Sequence, residues 1–281
     1  MQKSRKKFWL ITGITVLSIV ALIVVSLLAT RLKTVTVEFR TRVEQVNSQL
    51  EEGVLDNVKE TGEFKKKSLL FYNLDENIAK IEKSNPYVKV EQVIRKFPST
   101  LRVYISERTP KFRVEDGKTA GKWYILDSEF KVLDIVTDDI KTHEYGSTTY
   151  YAKTAELNIE GLKVSAYIGD FVNAGVYSDL MDQIVDGVVG RATEFGIVNK
   201  VEITKNGNDY KFLLTMKNSG LESDDGCQIL VDGSADLKMK IFAGVSCFCT
   251  KGGNTGNVDM SGKIIEIFLQ NGEYKGIDRD K

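Results

Sequence analysis

The sequence predicts an α+β protein with a single membrane-spanning helix at its N-terminal end. Three observations predict this. An uncharged apolar run extends from Phe8 to Ala29, short helical and strand-like patterns follow it, and the only three prolines bracket two alternating segments. The 281 residues suffice for about two domains. We therefore expect a small α+β domain after the helix, followed by a larger β-rich α+β domain.

The apolar run is long enough to cross a membrane. As a helix it measures roughly 33 Å, against a hydrocarbon core of about 30 Å. A cleaved signal peptide is the alternative, but its apolar region is usually about 7 to 15 residues, and Leu27 and Leu28 occupy the place of the small residues at a cleavage site. Four basic residues precede the run, and two follow it soon after. This asymmetry predicts a cytoplasmic tail at 1–7, a transmembrane helix at 8–29 and an extracytoplasmic remainder.

Composition excludes some classes of function. Lysine plus arginine equals aspartate plus glutamate, 39 against 39, which gives no global field for a nucleic-acid partner. Cys247 and Cys249 alternate as on one face of a strand, which favours buried packing thiols; a disulfide that involves Cys227 is the alternative. With one histidine, His143, no zinc-ligand spacing exists.

The region after the apolar run begins like a small α+β domain. Residues 34–39 (TVTVEF) alternate as a strand does. Apolar residues then recur from Val43 to Val58 in steps of three and four, which predicts an amphipathic helix.

A second helix and a hairpin complete that domain. Asn73 or Asp75 can cap a short helix that Asn85 and Pro86 end. Two strands follow, YVKVEQVI and TLRVYISE, with Pro98 at the turn between them. The predicted order is therefore strand, helix, helix, strand, strand.

Residues 69–112 resemble the polypeptide-transport-associated (POTRA) domain of the bacterial cell-division family called FtsQ or DivIB. Four short motifs of that family occur here in the family's order: Asn73-Leu74, Pro86-Tyr87-Val88, Arg95-Lys96-Phe97-Pro98-Ser99-Thr100-Leu101 and Glu107-Arg108-Thr109-Pro110. The resemblance implies a POTRA domain at 34–108.

The resemblance continues into an expected β domain at 109–270. It covers a strand, turn and strand with Asp127 in the turn, a helix with Leu180, Ile184 and Val188 on one face, and a hairpin around Asn206-Gly207. A short helix over 235–245 and a last strand, KIIEIFLQ at 263–270, follow. We expect the polar residues 271–281 to form a disordered tail.

Catalysis finds little support in the sequence. His143 is the only histidine available to a catalytic triad, and it lies in a polar, loop-like segment. The pairs Asp138-Asp139 and Asp224-Asp225 are adjacent in loop-like sequence, whereas glycosidase carboxylates face each other across a cleft. The turn KGGNTGN lacks the context of a phosphate loop. We expect no catalytic, metal or cofactor site and no small-molecule substrate.

Protein binding at a sheet edge is the remaining mechanism. A last strand exposes unpaired backbone groups that an incoming segment can extend. Alternate residues of KIIEIFLQ lie on the same face of the strand, and we predict that the face with Ile264, Glu266 and Phe268 contacts the partner. A central strand buried on both faces is the alternative.

The resemblance implies the partners. The end of the second domain in the FtsQ/DivIB family binds the small bitopic division proteins FtsB (DivIC) and FtsL. It therefore assigns partner binding to the following residues: Val258, Ile264, Glu266, Ile267, Phe268 and Leu269. The POTRA hairpin would recruit another partner through Arg95, Phe97 or Glu107, or these residues have turn and core roles only.

The expected function is a non-enzymatic division scaffold at the septal plasma membrane. A membrane-anchored extracytoplasmic sensor or ligand-binding protein is the alternative.

Overall fold

The computed structural model describes residues 2–41, 56, 58–59, 73–137, 144–145, 148–149, 154–162, 164–192, 194–217, 226–253 and 259–280. They divide into two compact units, Met1–Glu107 and Arg108–Lys281. Each unit has a buried apolar core of its own.

The first helix, α1, spans Gln2–Ala29. Its segment Ile11–Ala29 has a mean hydropathy of 2.7, and none of that segment is buried within the protein. An apolar helix with no protein packed around it is suited to a lipid environment. The predicted apolar helix is confirmed, and it extends into the basic N-terminal residues.

After α1, the first unit contains a three-stranded sheet and one further helix that is described in full. These elements are β1 (Thr34–Thr41), α2 (Leu74–Ser84), β2 (Val88–Lys96) and β3 (Thr100–Glu107). The strand order is β1-β3-β2, with β1 parallel and β2 antiparallel to the central β3.

The ends of α2 follow from its sequence. The Asn73 side chain accepts a hydrogen bond from the Glu76 N–H at 3.4 Å, so Asn73 rather than Asp75 is the cap. At the other end the Asn85 N–H donates to the Ile81 carbonyl at 3.0 Å. Ile81 is 1% exposed and anchors the helix on the sheet.

Alternation along β3 builds the core of this unit. Leu101, Val103 and Ile105 are fully buried on one face. The register of β2 shifts between Val90 and Gln92, which is the signature of a β-bulge. Val58, at the end of the predicted helix over 43–58, is also fully buried in this core.

The second unit is built on a nine-stranded mixed sheet. Its strands are β4 (Phe112–Glu115), β5 (Trp123–Leu126), β6 (Val132–Val136), β9 (Ala155–Ile159), β10 (Val198–Asn206), β11 (Asp209–Met216), β12 (Gln228–Asp232), β13 (Lys263–Gln270) and β14 (Glu273–Asp280). The order is β14-β13-β12-β11-β10-β9-β4-β5-β6. A separate two-stranded sheet pairs β7 (Glu144–Tyr145) with β8 (Thr148–Thr149).

Two helices cover one face of the large sheet: α3 (Val176–Ala192) and α4 (Leu237–Thr250). Leu180, Ile184 and Val188 of α3 are buried, as the sequence predicted. The helices meet at Gly187, where a Cβ would lie 2.8 Å from Ile241 Cβ. Only glycine permits an approach this close.

A buried ion pair lies near the start of the second unit. Arg108 Nη1 lies 2.6 Å from Asp127 Oδ2 and 2.6 Å from Glu129 Oε2. Asp127 occupies the predicted turn, and its Oδ1 accepts hydrogen bonds from the N–H groups of Glu129 and Lys131. Burial raises the pKa of Asp127, while the guanidinium of Arg108 opposes that rise.

The strand predicted for Cys247 and Cys249 is wrong. Both lie on α4, which continues past the predicted helix at 235–245 to Thr250. Residues two apart on a helix point in different directions. Cys227 is buried, and none of these three cysteines forms a disulfide.

The disordered tail predicted at 271–281 is also wrong, because Glu273–Asp280 forms β14. Asn271 and Gly272 adopt left-handed conformations, with φ of 53° and 81°, and turn the chain back along β13. An Asn-Gly pair is suited to such a tight hairpin turn. Consequently β13 is not the last strand of the sheet.

Some predictions fall outside the described residues. These concern His143, both aspartate pairs and most of the helix over 43–58, of which only Asp56 and Val58 are described, both as helical.

Candidate protein-interaction edge

The nine-stranded sheet ends at β14. Among the described strands, β14 pairs only with β13, from Lys263↔Asp280 to Gln270↔Glu273. Its outer edge therefore presents the backbone groups that a further strand can pair with.

A groove of about 770 Å³ runs between α4 and β14. Its lining is more apolar than polar, and it includes the charged residues Asp236, Lys251, Glu273 and Lys275. Met239 is 58% and Phe242 39% exposed on the α4 side. This volume lies within the range of about 300 to 1,000 Å³ that is typical of binding pockets. The groove therefore has room for more than one large side chain.

Gly276 brings β14 close to α4. A Cβ at this position would lie 2.8 Å from Ile265 Cγ2 and 2.9 Å from Cys247 Cβ. The strand can occupy its place only because residue 276 has no side chain. Gly276 therefore determines how β14 packs on the helix.

Polar contacts fix the orientation of β14. The Tyr274 hydroxyl donates to Asp236 Oδ2 at 2.9 Å, and this hydrogen bond raises the pKa of Tyr274. Lys251 Nζ lies 3.0 Å from Asp278 Oδ1, and its hydrogen bond lowers the pKa of Asp278. Lys263 forms a further ion pair with Asp280. Because these groups are largely solvated, each pair adds little stability, and their main effect is on geometry.

Cys247 lies on the wall of the groove. Burial is the main cause that raises the pKa of its thiol. A thiol with a raised pKa stays protonated near neutral pH and is a poor nucleophile. Within the described residues, no group of three or more His, Cys, Asp or Glu side chains could hold a metal ion. The arrangement is suited to binding a polypeptide.

The predicted contact residues on β13 divide between two faces. Ile265 is fully buried and Ile267 lies close to Gly244 of α4, so these two residues face the helix, whereas Leu269, near the end of the strand, is 61% exposed. Ile264, Glu266 and Phe268, each half-buried, lie on the opposite face of the strand, which we call the open face. β13 itself pairs with β12 on one side and β14 on the other, so the docking edge predicted for it is wrong. Val258 lies outside the described residues.

The neighbours of the open face come from β14. Arg279 Nη1 lies 3.2 Å from Glu266 Oε2, and Ile277, paired with Glu266 in register, is 45% exposed. Phe268 is paired with Lys275. A strand added to β14 would therefore meet Ile277 first, and Phe268 one strand further in.

The predicted hairpin residues in the first unit are only partly brought together. Arg95 and Phe97 are exposed at the β2–β3 turn, where Phe97 is 61% exposed. Glu107 is half-buried at the other end of β3, opposite Val88. At about 3.3 Å per residue this separates it from the turn by roughly 20 Å.

Sequence reasoning missed β14, Met239 and Phe242. The signal for β14 was present, because Asn271-Gly272 is the same dipeptide that correctly predicted the hairpin at Asn206-Gly207. Met239 and Phe242 belong to a helix that is apolar on several sides, and the sequence contains no signal that separates its exposed positions from its buried ones.

Comparison with known proteins identifies the first unit. The family model "POTRA domain, FtsQ-type" matches residues 51–108, about a fifth of the chain. No curated protein matches the chain significantly. The matched segment contains α2, β2 and β3. The first unit therefore contains a POTRA domain of the FtsQ type, a domain that suggests a cell-division protein with a role in protein interaction.

Proposed function

We propose that this protein is a non-enzymatic scaffold that assembles septal cell-wall synthesis partners. The apolar helix and the FtsQ-type domain support a single-pass membrane protein. Basic residues before the apolar segment of α1 favour a cytoplasmic N-terminus, with both domains outside the cytoplasm. The proposed partners are bitopic division proteins of the FtsB/DivIC and FtsL types, and the proposed location is the division septum.

One observation carries the binding mechanism: the outer edge of β14 is open beside an apolar groove. A partner segment would pair with β14 as a tenth strand. Its side chains would alternate between the groove lined by Met239 and Phe242 and the open face that contains Ile277 and Phe268.

Backbone pairing with β14 needs the added free energy of side chains buried in the groove. Six backbone hydrogen bonds contribute roughly 3 to 9 kcal/mol net. Ordering six partner residues costs about 1 to 2 kcal/mol each, so backbone pairing alone comes out near zero. Each large apolar side chain buried in the groove adds about 1.5 to 3 kcal/mol. Anchoring both proteins in one membrane raises their effective concentration further.

Binding between the purified full chain and its bitopic partners, all in lipid nanodiscs, tests this proposal. Ile277→Asp and Phe242→Asp should each weaken binding by about 10- to 100-fold, since each places a charge where an apolar side chain must bury. Phe268→Asp, one strand away from the edge, should have a smaller effect. Lys205→Asp, at the exposed end of β10, is the matched control and should bind normally. Unchanged binding by both edge variants would exclude this edge.

Localisation separates the scaffold from a membrane-anchored sensor. A fluorescent fusion of the full chain should form a ring at midcell. Uniform membrane fluorescence would instead favour the sensor. Arg95→Glu and Phe97→Ser test a second partner site at the β2–β3 turn, and they should leave binding at β14 unaffected.

A further inference from the structure

A loop in the second unit exposes three large apolar side chains within five residues. In the 167–171 loop (Tyr167, Ile168, Gly169, Asp170, Phe171), Tyr167 is 81%, Ile168 43% and Phe171 54% exposed. Single exposed apolar residues are ordinary, but contiguous ones mark interaction sites on folded proteins. This loop precedes α3 in the chain and does not belong to β14 or its groove.

Backbone hydrogen bonds hold the loop in one conformation. The Gly169 N–H donates to the Val132 carbonyl at 2.8 Å, and the Val132 N–H donates to the Asp170 carbonyl at 2.9 Å. The Asp170 N–H closes a turn on the Tyr167 carbonyl at 3.0 Å. Gly169, at φ 88°, supplies the left-handed residue that this turn requires. Because the loop is ordered before binding, ordering the loop costs little of the free energy of binding.

Two buried cations hold the Phe171 ring. Arg108 Cζ lies 5.6 Å and Lys131 Nζ 5.2 Å from the ring centroid. Arg108 is 5% exposed and Lys131 is fully buried. Cations at these distances attract the ring electrostatically and fix its orientation. More than half of the Phe171 side chain nevertheless faces solvent.

Carboxylates lie near the two cations that contact Phe171. Glu129, which accepts a hydrogen bond from Arg108, keeps 41% of its side chain exposed, and Asp182 on α3 is exposed. Burial is the main cause that raises the pKa of Asp182. Four neighbouring carboxylates raise it further, those of Asp186, Glu129, Asp179 and Asp127. The nearby cations Arg108 and Lys131 are buried beneath the ring, so an approaching molecule meets negative charge.

Charge distinguishes a protein partner from a lipid surface. Exposed aromatic residues can insert into membrane interfaces, but anionic headgroups would be repelled by the carboxylates around this loop. Interface cores favour aromatic residues, and complementary charge around them selects the partner. We propose that the 167–171 loop is a docking surface for a partner-protein segment that carries arginine or lysine beside apolar side chains.

Site-specific photocrosslinking in growing cells that produce the full chain tests this proposal. Tyr167 is replaced by p-benzoylphenylalanine, and the crosslinked peptide is mapped by mass spectrometry. The expected adduct is a polypeptide segment with net positive charge and apolar side chains. Lys118, exposed on the β4–β5 connection, is the matched control position and should give no such adduct.

Variants test the two components of the surface. Phe171→Ala should lower the adduct yield about tenfold or more, as expected for a central aromatic anchor. The double variant Glu129→Lys, Asp182→Lys should lower it about fivefold through charge reversal. Circular dichroism of the purified variants checks that the fold is retained. Ile168→Ser, on the loop surface, should also lower the yield and leaves the buried cations in place.

The proposal is overturned by lipid adducts alone, by a mapped segment that is acidic or uncharged, or by a yield no higher than at Lys118. An unchanged yield in both Ile168→Ser and the charge-reversal variant would also overturn it. Ile277→Asp should leave the adduct intact, so failure at β14 and failure at this loop are distinguishable.

Discussion

Adding one methyl group at Gly276 should loosen the hairpin that forms the proposed docking edge. In Gly276→Ala the new Cβ would lie 2.8 Å from Ile265 Cγ2 and 2.9 Å from Cys247 Cβ. Ile265 is fully buried, and Cys247 is part of α4, so neither neighbour can move freely. Overpacking of this kind costs about 1 to 3 kcal/mol. At about 2 to 4 °C per kcal/mol, the second unit should melt about 2 to 12 °C lower.

Thermal unfolding of the full chain in detergent micelles, followed by circular dichroism, measures this effect. Gly117→Ala is the matched control, because a Cβ there meets nothing within 4 Å. That variant should be neutral or slightly more stable, since alanine restricts the unfolded chain. If Gly276→Ala melts at the same temperature as Gly117→Ala, the packing argument for β14 is wrong. Gly276→Ala should also bind the bitopic partners more weakly.

Three further predictions concern stability. Arg108→Met should lower the free energy of unfolding by about 3 to 5 kcal/mol, because it leaves Asp127 buried without its cation. Burial already raises the pKa of Asp127. Denaturation at pH 7 and pH 5 should therefore show that the variant regains stability at the lower pH, where the carboxyl group becomes neutral. Burial lowers the pKa of Lys217 to about 8, so the stability of the wild type should rise between about pH 8 and pH 10.5. Urea denaturation of Lys217→Met should show no such rise, and at pH 7 the variant should be more stable than the wild type by up to about 3 kcal/mol. Gly272→Ala, at φ 81°, should cost about 1 to 2 kcal/mol in the same assay.

Strong periodicity and turn chemistry allowed much of the fold to be predicted. Leu101, Val103 and Ile105 alternate so regularly that they predict their own burial, and Asn206-Gly207 predicts the β10–β11 hairpin. The helix α3 was predicted in the same way from the spacing of Leu180, Ile184 and Val188.

The docking edge was harder to predict, for a physical reason. The residues of β14 that face α4 include Tyr274, Gly276 and Asp278, which form no hydrophobic pattern. Close contact with the helix requires glycine, and an edge strand exposed to water favours charged residues. By hydrophobicity alone, residues 273–280 are therefore typical of a disordered tail, and only the Asn271-Gly272 turn indicates a strand.

Long-range contacts explain the other gaps. The groove depends on how α4 lies across β14, and the cluster beneath Phe171 joins Arg108 to Lys131 and Asp127. The spacing of these residues in the sequence carries no signal of such contacts. Cys247 and Cys249 were assigned to a strand because two alternating positions match several structures equally well.

Hydrogen exchange along β14 tests the central claim most directly. The full chain in nanodiscs is compared with and without its purified bitopic partners, with the end of the β10–β11 hairpin as an unaffected reference. Pairing with an added strand should slow amide exchange within residues 273–280, because outward N–H groups gain hydrogen-bond partners. A stable complex in which exchange at 273–280 is unchanged would contradict the account.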